Sequence, residues 1–265
     1  MAVKFKKNRG TLTSMLAVDF RRMFTMRLFY IMSGICLVIP ILILVMTTMM
    51  DGSVSVNPQT GAETVVEGFD NVWQIIGTVS GGNAAAAMSM TAMYNINLLY
   101  FGAAVLTCLF VSEDFKSGYA KNLFTVRAKK SDYIASKIIV CLVSSVLLLL
   151  AFFAGAMFGG AAAGLPFELG KLTIVNIVMC LLSKVFLLGI FVPVSVAVSA
   201  FAKQKTWLSI VGSCAAGMLL FMMIPMLTPL DATAVGAVMC LAGGGMFCIT
   251  LGVVGNLILR KRDIL

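Results

Sequence analysis

The sequence predicts an all-α polytopic membrane protein with six transmembrane helices and both termini in the cytoplasm. Two observations carry that expectation. The chain is 60% hydrophobic and 12% charged, with a mean hydropathy of +1.01, far above the range of soluble domains. Its apolar runs are also punctuated by short basic stretches in a pattern that a bilayer explains. Eighteen of the 20 Lys and Arg fall into four segments: seven in 1–27, six between 112 and 137, two at Lys203 and Lys205, and three at 260–262. Six spans place all four segments on the inner side, and shifting the register by one span would reverse the positive-inside rule. A hydrocarbon core of about 30 Å takes about 20 apolar residues per helix. The 265 residues therefore hold one integral domain, 1–265, with no room for a large soluble one.

In order along the chain, 1–27 is basic (Lys4, Lys6, Lys7, Arg9, Arg21, Arg22, Arg27). Its Leu12, Met15, Leu16, Phe20, Met23 and Phe24 recur at steps of three and four, the pattern of an amphipathic interfacial helix. The first span is 28–49, with Pro40 inside it. The segment 51–93 carries Asp51, Glu63, Glu67 and Asp70 and no Lys or Arg, so it is placed outside. Within it, Ser53–Val56 and Ala62–Val66 flank Asn57-Pro58-Gln59-Thr60-Gly61, which suits a β-hairpin, and 69–76 suggests an interfacial helix with Trp73 at headgroup level. The second span is 94–111 and the third 134–158. Gly155 and Gly159 have the small-xxx-small spacing that lets helices approach closely.

A single helix across 172–201 would exceed a bilayer's thickness and strand Lys184 near its middle, where a cation is expensive. The expectation is therefore a break, with 168–183 as an outer interfacial or re-entrant helix and the fourth span at 184–202. The fifth span is 207–227 and the sixth 233–259.

Several function classes drop out. The net charge of +9 reports topology, since the basic residues flank apolar runs, and nucleic acid is not an expected partner. The seven cysteines lie in or beside apolar runs without Cys-x-x-Cys spacing and read as packing residues, neither disulfides nor metal ligands. There is no histidine, which removes His-based zinc sites and imidazole-dependent catalysis. Gly164 to Thr173 fails as a phosphate loop: the glycines are one residue too far apart, and Leu172 stands where Ser or Thr is required. A membrane enzyme would need a nucleophile or paired membrane carboxylates that the chain lacks. An ion-coupled carrier would need ionisable groups within its spans, and Lys184 is the sole candidate. Uphill transport would thus draw its energy from a partner, which needs a docking surface.

Only 112–133 is long and patterned enough to be that surface. It reads Ser112-Glu113-Asp114-Phe115-Lys116-Ser117-Gly118-Tyr119-Ala120-Lys121-Asn122-Leu123-Phe124, then Arg127, Tyr133 and Ser136-Lys137, with Phe115, Tyr119, Leu123 and Phe124 at helical spacing. This run resembles the first cytoplasmic loop of bacterial type-2 ABC transporter permeases, the exporter class that includes bacitracin and lantibiotic permeases. The likeness lies in an acidic pair ending the second span, a Lys-x-Gly-x-x-Lys-Asn-Leu-like run, and a Ser-Lys pair opening the third. Tyr119 stands where threonine is frequent. The six spans, the amphipathic start and the sizeable first outer loop agree with it more loosely.

The resemblance implies a permease domain in the bacterial plasma membrane. It would pair with a second permease copy or homologue and with ABC ATPase subunits, which bind the ATP; the chain itself takes no cofactor and catalyses nothing. It further implies that Phe115, Gly118, Tyr119, Lys121, Leu123 and Phe124 form an ATPase-coupling helix, with Glu113 and Asp114 fixing its hinge. The Met-rich spans suit a peptide antibiotic or another amphipathic or hydrophobic cargo. The alternative is a non-transporting sensor or immunity protein that binds a peptide at its outer loop.

Overall fold

In the computed structural model the described residues are 11–56, 63–65, 68–77, 96–125, 129–169, 172–202, 205–221 and 229–261. Eight helices are described: α1 Thr11–Thr25, α2 Arg27–Met50, α3 Leu99–Lys116, α4 Tyr119–Thr125, α5 Lys130–Ala163, α6 Ile174–Ala202, α7 Thr206–Phe221 and α8 Ala234–Lys261. Among the described residues, five helical segments are long and apolar enough to cross a membrane. They are α2, α3 with its 3₁₀ lead-in Ile96–Leu98, α5, α6 and α8, and the sixth apolar helix, α7, is shorter. The continuation of the expected fifth span, at 222–228, lies outside the described residues.

Side-chain size decides which helices touch. α5 lies against α2 because Gly155 and Gly159 let the backbones meet: a methyl group on Gly155 would collide with the Leu37 carbonyl, and one on Gly159 would come to 2.7 Å from Ile41 Cα. The small-xxx-small pair thus serves packing within the chain. α6 and α8 approach in the same way, Gly244 against the Phe186 carbonyl. Large apolar side chains of α2 and α8, among them Ile31, Val38, Leu42, Met46, Val235, Met239 and Ile249, point away from the bundle, where acyl chains would cover them.

The break expected in the fourth span is absent: α6 runs unbroken from Ile174 to Ala202 with Lys184 fully buried in its first half. Its ammonium donates to Asn97 Oδ1 at 3.0 Å, and Tyr100 O–H donates to the Lys184 backbone carbonyl at 3.2 Å. The ammonium faces the bundle interior, so no lipid meets it and no helix end is needed to carry it to the surface. The third span also extends beyond its expected limits. At 34 residues, α5 is about 50 Å long, so it projects past the hydrocarbon region.

The expected outer interfacial helix is instead one 3₁₀ turn, Val72–Ile75, with Asn71 as its cap. Val72 N–H bonds to the Pro166 carbonyl at 3.3 Å and the Trp73 indole to the Phe167 carbonyl at 3.1 Å. Val72 packs where Gly160 leaves room. The Trp73 indole N–H is thereby bonded within the protein. Val54–Val56 and Glu63–Val65 pair antiparallel, Val54 opposite Val65, and the turn residues expected between them lie outside the described residues.

Of the N-terminal segment, residues 1–10 lie outside the described residues. Helix α1 starts at Thr11 and ends at Thr25, and Met26 takes an extended conformation (φ −75°, ψ 121°) before α2. Met15, Asp19 and Met23, four residues apart, form its buried stripe, which lies on α5. The stripe holds a carboxylate where an apolar residue is expected, and that carboxylate leads to the site.

Candidate functional site

The polar stretch is shorter than its sequence suggests, because α3 runs on through Glu113 and Asp114 to Lys116 and α5 begins at Lys130. α3 closes where the N–H and Oγ–H of Ser117 both donate to the Glu113 carbonyl, at 2.9 and 2.8 Å. Gly118 then adopts φ +73° with open space around its Cα. The left-handed backbone, costing about 1–2 kcal/mol with a side chain, is what reserves the position for glycine. α4 follows, its first turn closed by Asn122 N–H to the Gly118 carbonyl at 3.0 Å.

The apolar side of α4 is turned toward the bundle. Phe115 and Ala120 are buried, and Tyr119, Leu123 and Phe124 are half-buried. Phe124 and Phe115 both stand edge-on to Tyr133, with centroids at 5.3 and 6.4 Å, and the Tyr119 ring lies under the Arg22 guanidinium at 4.3 Å. Glu113, Lys116, Ser117, Lys121, Asn122 and Thr125 are exposed. Phe115, Tyr119, Leu123 and Phe124 thus pack against the rest of the chain.

Behind α4 sits a cluster of four charges from three helices. Asp114 Oδ2 lies 2.6 Å from Lys137 Nζ, and Asp114 Oδ1 lies 2.7 Å from Arg22 Nη1. The Arg22 contact is an ion pair. Lys137 Nζ also donates to Asp19 Oδ1 at 2.8 Å, and Arg22 Nη1 is 3.9 Å from the same oxygen. Ser136 Oγ–H donates to Asp19 Oδ2 at 2.7 Å and Tyr133 O–H to Asp114 Oδ2 at 2.9 Å. Asp114 and Lys137 are 0% exposed and Asp19 1%, whereas the Arg22 side chain keeps 29%, through a cleft of about 240 Å³ lined by Arg22, Thr25, Met26, Phe110 and Glu113.

Two carboxylates and two cations cancel, which is what permits burial: an unpaired ion here would carry a desolvation penalty of several kcal/mol. Aromatic faces supply the remaining solvation, with Lys137 Nζ 4.2 Å from the Phe110 centroid and 5.3 Å from that of Tyr133. Burial pulls against the charge of Arg22, but the neighbouring Asp114 and Asp19 outweigh it and hold the guanidinium above its ordinary value. Burial, and then the Asp19 carboxylate, push the Tyr119 phenol up, so it stays neutral and offers its ring to the cation.

Asp114 is the one expected site residue inside the cluster. Gly118 forms the turn between α3 and α4, and Glu113 and Lys121 sit on the outer face. Asp19, Arg22, Tyr133, Ser136 and Lys137 were not foreseen as site residues. Asp19 was the available signal: it is the only acid before Asp51 and falls in step with Met15 and Met23. A second polar seam joins α3 to α7, where Cys108 Sγ lies 3.1 Å from Ser213 Oγ and Ser112 Oγ–H donates to Ser209 Oγ at 3.4 Å, the interhelical bonding common within membranes. All seven cysteines are free, and among the described residues no cluster of three or more acidic or thiol side chains could hold a metal ion.

A bundle of apolar helices, five of them long enough to cross a bilayer, with a buried charge cluster under one short polar connection, defines a multi-pass membrane protein. A family model described as "ABC-2 family transporter protein" matches residues 16–215, most of the chain, from α1 into α7, with all four cluster charges and α4 inside the match. The chain belongs to the ABC-2 transporter family and is a membrane subunit of an ABC transporter in the plasma membrane. Such permeases generally work with an ATPase subunit, often dimerise, and are not themselves catalytic. No curated protein and no solved structure matches the chain.

Proposed function

We propose that this chain is the membrane subunit of an ATP-driven exporter, with α4 as the lever that a separate ATPase subunit moves from the cytoplasm. One observation carries the reading. Asp114, four residues before the Gly118 hinge, is gripped by Arg22 from α1 and by Lys137 and Tyr133 from α5. A push on α4 therefore reaches α1, α3 and α5 together, through short charged contacts that do not stretch gradually.

In this reading the basic end of the bundle, with α4 and both chain termini, lies in the cytoplasm, in keeping with the charge distribution. Two permease chains, identical or related, would enclose the pathway. The spans are poor in ionisable groups, so the energy comes from the partner's ATP. The 19 methionines suit amphipathic or hydrophobic cargo such as a peptide antibiotic.

The test is purification of the tagged chain from membranes of its own host, followed by reconstitution. The reading expects a nucleotide-hydrolysing subunit to copurify, and export to stop when its ATP is withheld. A chain that transports without such a companion would overturn it. A chain that only binds peptide at its outer segment, with no ATPase, would be a sensor or immunity protein.

A further inference from the structure

The placement of α4 says what kind of surface its partner must have, an inference that rests on the reading of α4 as the element the ATPase grips. With Tyr119, Leu123 and Phe124 turned toward the bundle, the face left for a partner is Lys121, Asn122 and Thr125, neighbours on one side of the helix, with Lys116 just before the hinge and Lys129 just after the loop, all exposed. Glu113 is the only exposed acid among the described residues of 112–130.

We propose that the ATPase subunit meets this chain through a cationic, hydrogen-bonding face formed by Lys116, Lys121, Asn122, Thr125 and Lys129, and that the groove receiving α4 is acidic. Like-charged or apolar grooves leave these lysines unpaired or force their desolvation, whereas an acidic one steers the encounter and fixes its register. A lipid surface fits less well. A helix that lies in a bilayer interface needs an exposed apolar face, and among the described residues of 96–125 no large apolar side chain is exposed.

The experiment compares the wild-type chain with a K116E/K121E/K129E variant, each in nanodiscs of neutral lipid and of lipid with anionic headgroups. The ATPase that copurifies with wild type is titrated onto both at about 0.1 M and about 0.5 M salt, where the screening length falls from about 10 Å to a few Å. Thermal midpoints matching wild type confirm that the variant is folded; should the triple variant unfold, the single K121E variant takes its place. The expected result is affinity about tenfold or more weaker in the variant at low salt, a gap that closes at high salt, in both lipids. Equal, salt-insensitive binding by both chains would overturn the acidic groove while leaving the ATPase reading intact. A loss confined to anionic nanodiscs would overturn it in favour of lipid contact, and failure of wild type to bring down any ATPase would overturn both.

Discussion

Replacing Asp114 by Asn tests whether the four charges act as a unit. Asp114 lies 2.6 Å from Lys137 and 2.7 Å from Arg22, and at an effective dielectric of about 20 each contact is worth about 6 kcal/mol of Coulomb attraction. That gain is set against desolvation of several kcal/mol for each ion, so the intact cluster nets little. Removing one member is different, because the others stay buried with their charge uncompensated, at a cost of about 3–5 kcal/mol. Lys137→Met should cost a similar amount, leaving two carboxylates against Arg22. The double variant D114N/K137M leaves only the neutral Asp19–Arg22 pair, so its cost should fall short of the sum by at least about 2 kcal/mol. Thermal unfolding of the four purified proteins in one detergent reads this out, at about 2–4 °C per kcal/mol for a chain of this size. Each single variant should then melt about 10 °C early. Costs that add to within about 0.5 kcal/mol, or single variants that melt with wild type, would refute the cluster as a cooperative unit.

Tyr133→Phe removes only the hydroxyl bonded to Asp114 at 2.9 Å and keeps the ring against Phe115 and Phe124; it should destabilise by about 1.5–3 kcal/mol in the same melts. Gly244→Ala should cost about 1–3 kcal/mol by driving a methyl group into the Phe186 carbonyl. Gly243→Ala, with nothing within 4 Å, should be neutral or stabilising by up to about 1 kcal/mol; similar melts for the two would count against the close α6/α8 crossing. In a cysteine-free background, Lys121→Cys should react with an impermeant maleimide only in inverted vesicles. Reaction in intact cells would place α4 outside and end the ATPase reading.

The spans were legible because every polar backbone group in a bilayer must bond within its own helix, which stretches the hydropathy signal over some twenty residues. Departures arose where a tertiary contact replaced a solvent contact. Lys184 argued for a helix end until Asn97, 87 residues away in sequence, supplied its acceptor. Trp73 argued for an interfacial helix, but the segment is one 3₁₀ turn bonded to the Pro166 and Phe167 carbonyls. The 3.6-residue periodicity of Phe115, Tyr119, Leu123 and Phe124 showed that α4 has an apolar side but not which way that side faces. Its direction depends on Tyr133 and Arg22, on other helices, and no local pattern reports them. Asp19 and Lys137 are 118 residues apart, so their pairing is a property of the packed bundle.

The balance of terms in the cluster bears on why a lever would be held by ions at all. An apolar contact between α1, α3 and α5 of the same volume would stabilise the bundle at least as well, but it would also tolerate sliding, since dispersion falls off gently and lacks direction. Charges at 2.6–2.8 Å do not slide: a shift of about 1 Å strips a carboxylate of its donor while it stays buried, and the penalty rises at once. That is the property a lever needs, because a push on α4 either leaves the arrangement intact or carries it whole into another. Among the four charges Arg22 alone keeps a sizeable exposed fraction, 29% of its side chain, beside the cleft.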